Sequence, residues 1–533
     1  MSSPTHALPH APTRRRSLAI PRTLNLFHRP ELLGLLALAA LLNLWALSMN
    51  GWANDYYAAA VRSMTTSWHN FLYGSFDTAG LQTVDKPPLA LWVQALSARV
   101  FGFSSWSILV PQALMGVATV GLVYDLAMRR FGRAAGFVAG LALALTPISV
   151  AISRHNNPDA LLIVCITGAV WATDRGLRTG ARAKWLLIAG ALIGLGFETK
   201  MAAALLVLPG IVAAWLWVAP RGRVVALKQG LAATGVMAVV GLAWPVLVWL
   251  TPAGSRPFVS GTSDNSIWSL IFGYNGLGRL FGQAGGPTTT TTGAGGFGGG
   301  GGAGGIFGGD TGALRLLDSS LGGQAGWLLG FAIVAIGVLA VRTRLRRTDA
   351  ATGWLLAVGG AFLVTAITFS RAEGIFHPYY TSALAPFTAL LIGAGFAQLR
   401  QSDALGRIAA PLLLLAGAAT EAVVIKNSAT DLSWASGIII GGSLIAAVAL
   451  AALTQPKVRL AIATAGVALL LAAPGAWAVQ TLGHATSSTF PAGGPASANT
   501  MGGGMGGRGG GAGGGGMGGR GGFGGGTPPS GAG

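Results

Sequence analysis

Four separated polar stretches break an otherwise apolar chain, and each carries groups able to move a proton or hold an anion. The first begins Asn54-Asp55-Tyr56-Tyr57 and runs on to Val84-Asp85-Lys86-Pro87-Pro88. The second is Ser153-Arg154-His155-Asn156-Asn157-Pro158-Asp159, the third Phe197-Glu198-Thr199-Lys200, and the fourth runs from Arg371 and Glu373 to His377-Pro378-Tyr379-Tyr380. Lys86 lies on a segment whose backbone the following proline biases toward an extended form. Charges at membrane depth are expensive and mark functional positions by default. Carboxylates, cations, histidines and tyrosines on one face suit transfer of a group from a charged lipid headgroup. Glycosyl transfer from a polyprenyl phosphate turns a singly charged phosphodiester into a more negative phosphomonoester. Lys86 and Arg154 are the candidates to stabilise that charge, and a carboxylate would take the proton of the acceptor hydroxyl. Candidate substrate contacts are Tyr57, Asp85, His155, Asn156, Asp159, Glu198, Lys200, His377 and Tyr379. Two plainer readings stand beside these: Asp159 as a helix cap, and Glu198 paired with Lys200. No Asp-x-Asp pair occurs, so a metal-bound diphosphate has little support.

These residues need elements to hold them, and composition says which. Apolar residues make up 52% of 533 and charged residues 10%, against about 25% charge in soluble domains. Such a chain cannot cover a water-facing surface with charge, and an all-α integral membrane fold follows. Apolar runs suited to crossing a bilayer lie at 31–50, 107–128, 134–152, 159–174, 184–197, 201–218, 231–251, 326–341, 353–370, 379–397, 408–425, 435–453 and 459–480. A further run, 88–103, would reach only about 24 Å as a helix, short of the roughly 30 Å hydrocarbon core. Placed in the interface with Trp92 at headgroup level, it leaves the Arg129/Arg130/Arg133, Arg175/Arg178/Arg182/Lys184 and Arg342/Arg344/Arg346/Arg347 clusters all on the cytoplasmic side. That gives about thirteen spans, a cytoplasmic N-terminus and an external C-terminus. The net charge of +19 therefore reads as loop topology, with no nucleic-acid partner. The single cysteine, Cys165, sits in an apolar run and excludes an intrachain disulfide.

The domain plan is a basic cytoplasmic leader over 1–30, a membrane domain over 31–482 and a disordered glycine-rich outer tail over 483–533. Within the membrane domain lie a long first outer loop, 51–106, and a Gly/Thr-rich outer loop, 285–309. Glycine loses the most backbone entropy on ordering, and neither low-complexity segment has the apolar content to fold. The first outer loop exceeds the usual 2 to 8 residues of a connector, as functional loops do.

In order and spacing, Asn54-Asp55-Tyr56-Tyr57, Asp85-Lys86-Pro87-Pro88-Leu89, Arg154 to Asp159, Glu198-Thr199-Lys200 and His377-Pro378-Tyr379-Tyr380 resemble the polytopic lipid-phosphate-sugar glycosyltransferases of the C superfamily. These include the protein O-mannosyltransferases and the bacterial lipid A aminoarabinose transferases. The resemblance spans about residues 31–400. It implies an interfacial helix after Lys86-Pro87-Pro88, Asp55 as catalytic carboxylate, Lys86 as donor-phosphate contact, and inversion at the anomeric carbon. Asn54-Asp55 stands where protein O-mannosyltransferases carry Asp-Glu, which puts a protein acceptor in question beside a lipid or glycan one. In the aminoarabinose enzymes the acidic residue before the lysine helps hold a metal; Asp85 occupies that place here, but no partner histidine maps beside it, so no metal is assigned and a divalent ion near Asp85 stays an open alternative. The rival reading is a transporter or flippase of lipid-linked sugars, but mid-span ionisable residues are few and no internal repeat is found.

Overall fold

The computed structural model describes residues 29–278, 308–373, 376–428, 432–486 and 489–500. Two isolated bridges, Ser75 with Thr83 and Gln82 with Phe258, are the β pairing among them; everything else is helix and turn. Nine helices of the described residues are long and apolar enough to cross a membrane, ten when one bent pair counts as a span. The chain is an all-helical integral membrane protein. The leader and the Gly/Thr-rich loop fall outside the described residues, apart from 29–30 and 308–309.

The first helix, α1 (Pro30–Leu44), starts on a proline, whose missing N–H costs nothing at that position. A loop carrying three short helices follows, α2 (Asp55–Thr66), α3 (Trp68–Tyr73) and α4 (Leu89–Phe101). With 13 residues α4 reaches about 20 Å, too short to cross. Arg99 on it donates to the carbonyls of Met64 and Ser67 at the end of α2 and lies 4.1 Å from the Trp68 ring centroid. Ser104 and Ser107 cap each other's backbone to start α5 (Ser105–Phe131). Next, α6 (Arg133–Ala144) and α7 (Pro147–Ser153) meet at 66°, because Pro147 cannot continue the α6 hydrogen-bond ladder.

The next pair frames the site. α8 (Asp159–Arg178) extends about 30 Å, and α9 (Ala183–Lys200) returns antiparallel to it. The apolar run 184–218 then reverses. Met201 takes φ +47° and ψ −124°, a region that costs a side chain energy, and a 3-10 turn leads into α10 (Leu208–Val218). Lys200 meets Asp159 at the start of α8, whereas Trp215 lies against Gly176 near its end, so 201–218 runs back alongside α8. Beyond it come α11 (Arg223–Gly241) and α12 (Ala243–Leu250), broken at Leu242.

The second half contributes α13 (Leu329–Thr343), α14 (Ala350–Arg371), α15 (Ala385–Leu399), α16 (Ala404–Asn427), α17 (Ala435–Ala452) and α18 (Pro456–Gln480). α13 and α15 have 15 residues each, shorter than the apolar runs 326–341 and 379–397 suggested. The segment after α18 also differs from expectation. Residues 491–494 are buried against the bundle, so part of the tail expected from 483 is packed chain.

Charge separates to the two ends of the bundle. At one end Asp174 pairs with Arg130 and Arg178 at 3.2 and 2.7 Å, Arg129 pairs with Asp125, and Glu31 and Asp403 hold Arg133 and Arg342. Asp159, Lys200 and Lys86 lie at the other.

Small residues let the helices approach. A Cβ on Gly360 of α14 would lie 2.7 Å from the Gly210 Cα of α10, a backbone contact of the kind that joins membrane helices. Gly360→Val should force the two apart and cost about 1–3 kcal/mol, read as a lower thermal midpoint in detergent. An unchanged midpoint would show that this contact carries no packing.

Candidate active site

The polar turn between α7 and α8 acts first as a latch. Asn156 (fully buried) accepts from the Asn54 backbone N–H at 2.8 Å and donates to its carbonyl at 3.0 Å, while Asn54 Nδ2 donates to Asn157 Oδ1 at 3.1 Å. The Asn54 side chain also caps α2 by accepting from Tyr56 N. Two distant loops are thereby joined at buried polar groups that would cost about 1–3 kcal/mol each if left unpaired. Asp55, next in sequence, opens α2 and is exposed.

The same turn corrects three expectations. Arg154 is fully buried and its guanidinium donates to the carbonyls of Leu42, Trp45 and Ala46, the free ends left by α1. It caps a helix here and makes no wall of the cavity described below. His155 is buried with Nδ1 accepting from Asn157 N, and both ends of the Asn156 amide are committed to Asn54. These two organise the turn, and neither lines the cavity described below.

Two lysines do face an open space. Lys86 Nζ donates to Asp85 Oδ2 at 2.9 Å and to Asn275 Oδ1 at 2.8 Å, and lies 5.0 Å from the Tyr274 ring centroid. Asn275 Nδ2 returns a bond to the Asp85 carbonyl. Lys200 Nζ donates to Asp159 Oδ1 at 2.6 Å, with the Tyr380 and Tyr379 ring centroids 3.9 and 4.9 Å away. Lys86, Asp159 and Lys200 line a cavity of about 460 Å³ whose other walls are mostly apolar, including Phe197, Leu205, Phe272, Phe369 and Phe376. That volume is typical of a ligand site.

Glu198 does not pair with Lys200. Two positions apart on a helix, they point to different faces, and Glu198 accepts from Trp244 N at 2.9 Å where α11 breaks into α12. The aromatic wall continues outward: the His377 ring stacks on Tyr379 at 5.6 Å and meets Tyr380 at 5.4 Å. Tyr57 is buried beside Asp85 and Asp159, and the Tyr56 hydroxyl accepts from Asp85 N at 3.1 Å. Burial first, and then the Asp85 charge, push both phenols above their ordinary range, so both stay protonated at neutral pH.

The structure thus gathers Lys86, Asp85, Asp159, Lys200, Tyr57 and the His377-Tyr379 face, and leaves Asp55 exposed outside the cavity lining, one residue from Tyr56. Sequence spacing missed Tyr274 and Asn275, and it quoted Tyr56 and Tyr380 in their motifs without giving them a role. The signal for Asn275 was a polar residue between two glycines in an apolar run, 189 positions from Lys86. For the divalent ion considered at Asp85, that carboxylate is engaged by Lys86, and the described residues hold no group of three His, Cys, Asp or Glu. The donors described here do not form a metal set.

Comparison with known proteins decides the class. The family profile described as dolichyl-phosphate-mannose-protein mannosyltransferase matches residues 85–249. The chain is 33% identical to “Putative mannosyltransferase YkcB” of Bacillus subtilis, over 89% of this chain and 78% of that one. The chain belongs to the polytopic glycosyltransferases of the C superfamily. “Putative mannosyltransferase YycA” of the same organism is 39% identical over 68% of this chain and 62% of its own. Among solved structures, ArnT from Cupriavidus metallidurans, bound to undecaprenyl phosphate, shares the fold at 17% identity and TM-score 0.51, over 84% of this chain and 77% of that one. As a glycosyltransferase the chain is an enzyme, and the transporter reading falls.

The latch makes a direct prediction for this glycosyltransferase. Asn156→Ala strands the Asn54 N–H and carbonyl and should lower stability by about 1–3 kcal/mol, measured as the thermal midpoint of purified protein. A midpoint equal to the parent's would mean that water replaces the latch.

Proposed function

We propose that the chain transfers a sugar, mannose or a related hexose or pentose, from a polyprenyl phosphate to a hydroxyl acceptor with inversion, on the outer face of the cytoplasmic membrane. One observation carries the reading: two lysines stand at the polar edge of an otherwise apolar cavity, a shape and charge suited to a phosphate head on a greasy chain. The names of the Bacillus relatives support mannose, and the undecaprenyl phosphate of the ArnT structure supports the lipid.

The chemistry follows from the groups present. Asp55, exposed at the first turn of α2, takes the proton of the acceptor hydroxyl. The hydroxyl oxygen bonds to the anomeric carbon as the carbon–oxygen bond to phosphate breaks on the opposite side. Polyprenyl phosphate leaves with the bonding pair, and Lys86, with Lys200 on the same cavity, stabilises its added charge. Tyr56 ties the two halves together, since its hydroxyl bonds the Asp85 backbone beside Lys86. The acceptor is a lipid, glycan or protein hydroxyl.

The topology proposed with this is thirteen crossings. They are α1; α5; the α6–α7 pair; α8; α9; 201–218; α11 with α12; and α13 to α18 taken singly, with α4 in the interface. Arginine clusters at the end opposite the site support a cytoplasmic position for that end, with the C-terminus outside. Single cysteines at Thr179 and Thr348 should resist an impermeant thiol reagent in intact cells, and one at Ser263 should react. The reverse pattern would turn the protein over.

A donor panel tests the reaction: purified protein with polyprenyl-phosphate sugars, scored for transfer and for the anomeric configuration of the product. Asp55→Asn keeps the shape but cannot accept the proton, so turnover should fall at least about 100-fold with donor binding intact. Lys86→Ala should instead weaken donor use by about 10- to 100-fold, the loss of one charge-assisted bond. Turnover in Asp55→Asn within threefold of the parent would remove Asp55 from the chemistry.

A further inference from the structure

The described residues after the last helix are tied to the site end at Asn50 and Gln324, and two further bonds join the segment to itself. Thr486 donates through its backbone N–H and its hydroxyl to Asn50 Oδ1, at 2.9 and 3.2 Å. The buried Gln324 amide pairs with both backbone groups of Gly493, at 2.8 and 3.1 Å. Gly494 N donates to Thr481 Oγ1 at 2.8 Å, and His484 Nε2 lies 2.9 Å from the Gly494 carbonyl. The two glycines are required by space: a Cβ on Gly493 would lie 2.3 Å from the Pro147 carbonyl carbon. One on Gly494, at φ +106°, would lie 2.3 Å from the Trp477 ring. A tether that served only to anchor a tail would need none of this registry.

What the registry delivers is Phe490. Its ring centroid lies 4.2 Å from that of His377, which stacks on Tyr379 and abuts Tyr380, the two rings over which Lys200 Nζ is held. The contact runs in one line from the strap to the cation: Phe490, His377, the tyrosine pair, Lys200. We propose that Phe490 is a positioning residue for the donor-phosphate site, and that the strap fixes the aromatic face which orients Lys200. This rests on the reading of Lys200 as a phosphate contact. Without the Phe490 ring, His377 loses a ring contact at 4.2 Å, and the tyrosine face samples more orientations. Only a fraction of molecules then present Lys200 to the phosphate, and apparent affinity falls by that fraction.

The full-length purified protein is titrated with undecaprenyl phosphate alone, with tryptophan fluorescence as the readout and no transfer needed. Phe490→Ala should raise the Kd about fivefold, as expected if about one molecule in five stays competent, and Phe490→Tyr, which keeps the ring, should bind as the parent does. In a background of Asp159→Asn with Lys200→Gln, a neutral hydrogen-bonding pair, Phe490→Ala should add no further loss, because its effect passes through Lys200. Parental affinity in Phe490→Ala, or the same fivefold loss in the neutral background, overturns the proposal while the donor reading stands. A parent that does not bind undecaprenyl phosphate overturns the donor reading and this one with it.

Discussion

Lys200 and Asp159 meet 2.6 Å apart with 9% and 1% of their side chains exposed, at the end of two apolar helices. Taking both ions out of water costs several kcal/mol each, and a buried pair of this kind is weak evidence for stability. Losing one partner is another matter, because the survivor stays charged without compensation. Much of the site end is arranged around keeping that pair. Met201 accepts a left-handed φ so that the chain can turn back immediately after Lys200. Asp159 opens α8, where the helix dipole favours a carboxylate. Two tyrosine rings cover the ammonium, and a ring face returns part of the electrostatic energy that water would have supplied.

The polar turn before α8 shows what a sequence can and cannot tell. That Arg154, His155, Asn156 and Asp159 would matter was legible, because a membrane chain does not spend charge and amides idly. Their division of labour was not. Arg154 answers the open carbonyls of α1 and Asn156 answers the backbone of Asn54. Both needs belong to elements more than a hundred positions away, so no local pattern announces them. Asp159 alone of the four reaches the cavity. Asn275 and Tyr274 were hidden for the converse reason: their own surroundings are apolar, and only the returning loop brings them to Lys86.

Helices were easier to read than their ends. Hydropathy over about twenty residues reports burial in lipid directly, so the apolar runs reappear as helices from α1 to α18. Where a run is interrupted, the outcome depends on the marker. Pro147 declares the bend between α6 and α7. Met201 carries no such mark, since nothing in a methionine foretells a positive φ; the reversal follows directly after Lys200, which Asp159 holds. The Gly-rich C-terminus misled in the opposite direction. Composition argues for a tether, yet Gly493 and Gly494 sit where any side chain would collide with Pro147 or Trp477. Glycine there is a packing requirement.

Each lysine of the cavity already has a carboxylate, Asp85 for Lys86 and Asp159 for Lys200. The site is close to neutral before any ligand arrives, which lets it exist among apolar walls. In the proposed reaction a phosphodiester of single charge would have to share Lys86 with Asp85, and would gain only part of that ammonium. As the sugar–phosphate bond breaks, charge grows on the phosphate oxygens while Asp85 keeps what it had. The balance at Lys86 then shifts toward the phosphate, and the interaction strengthens along the reaction coordinate. A contact that is stronger in the transition state than in the bound donor raises turnover, whereas one equally strong in both would only tighten binding. The resident carboxylates, which look like competitors for the donor, are in this account what reserves the lysines for the departing phosphate.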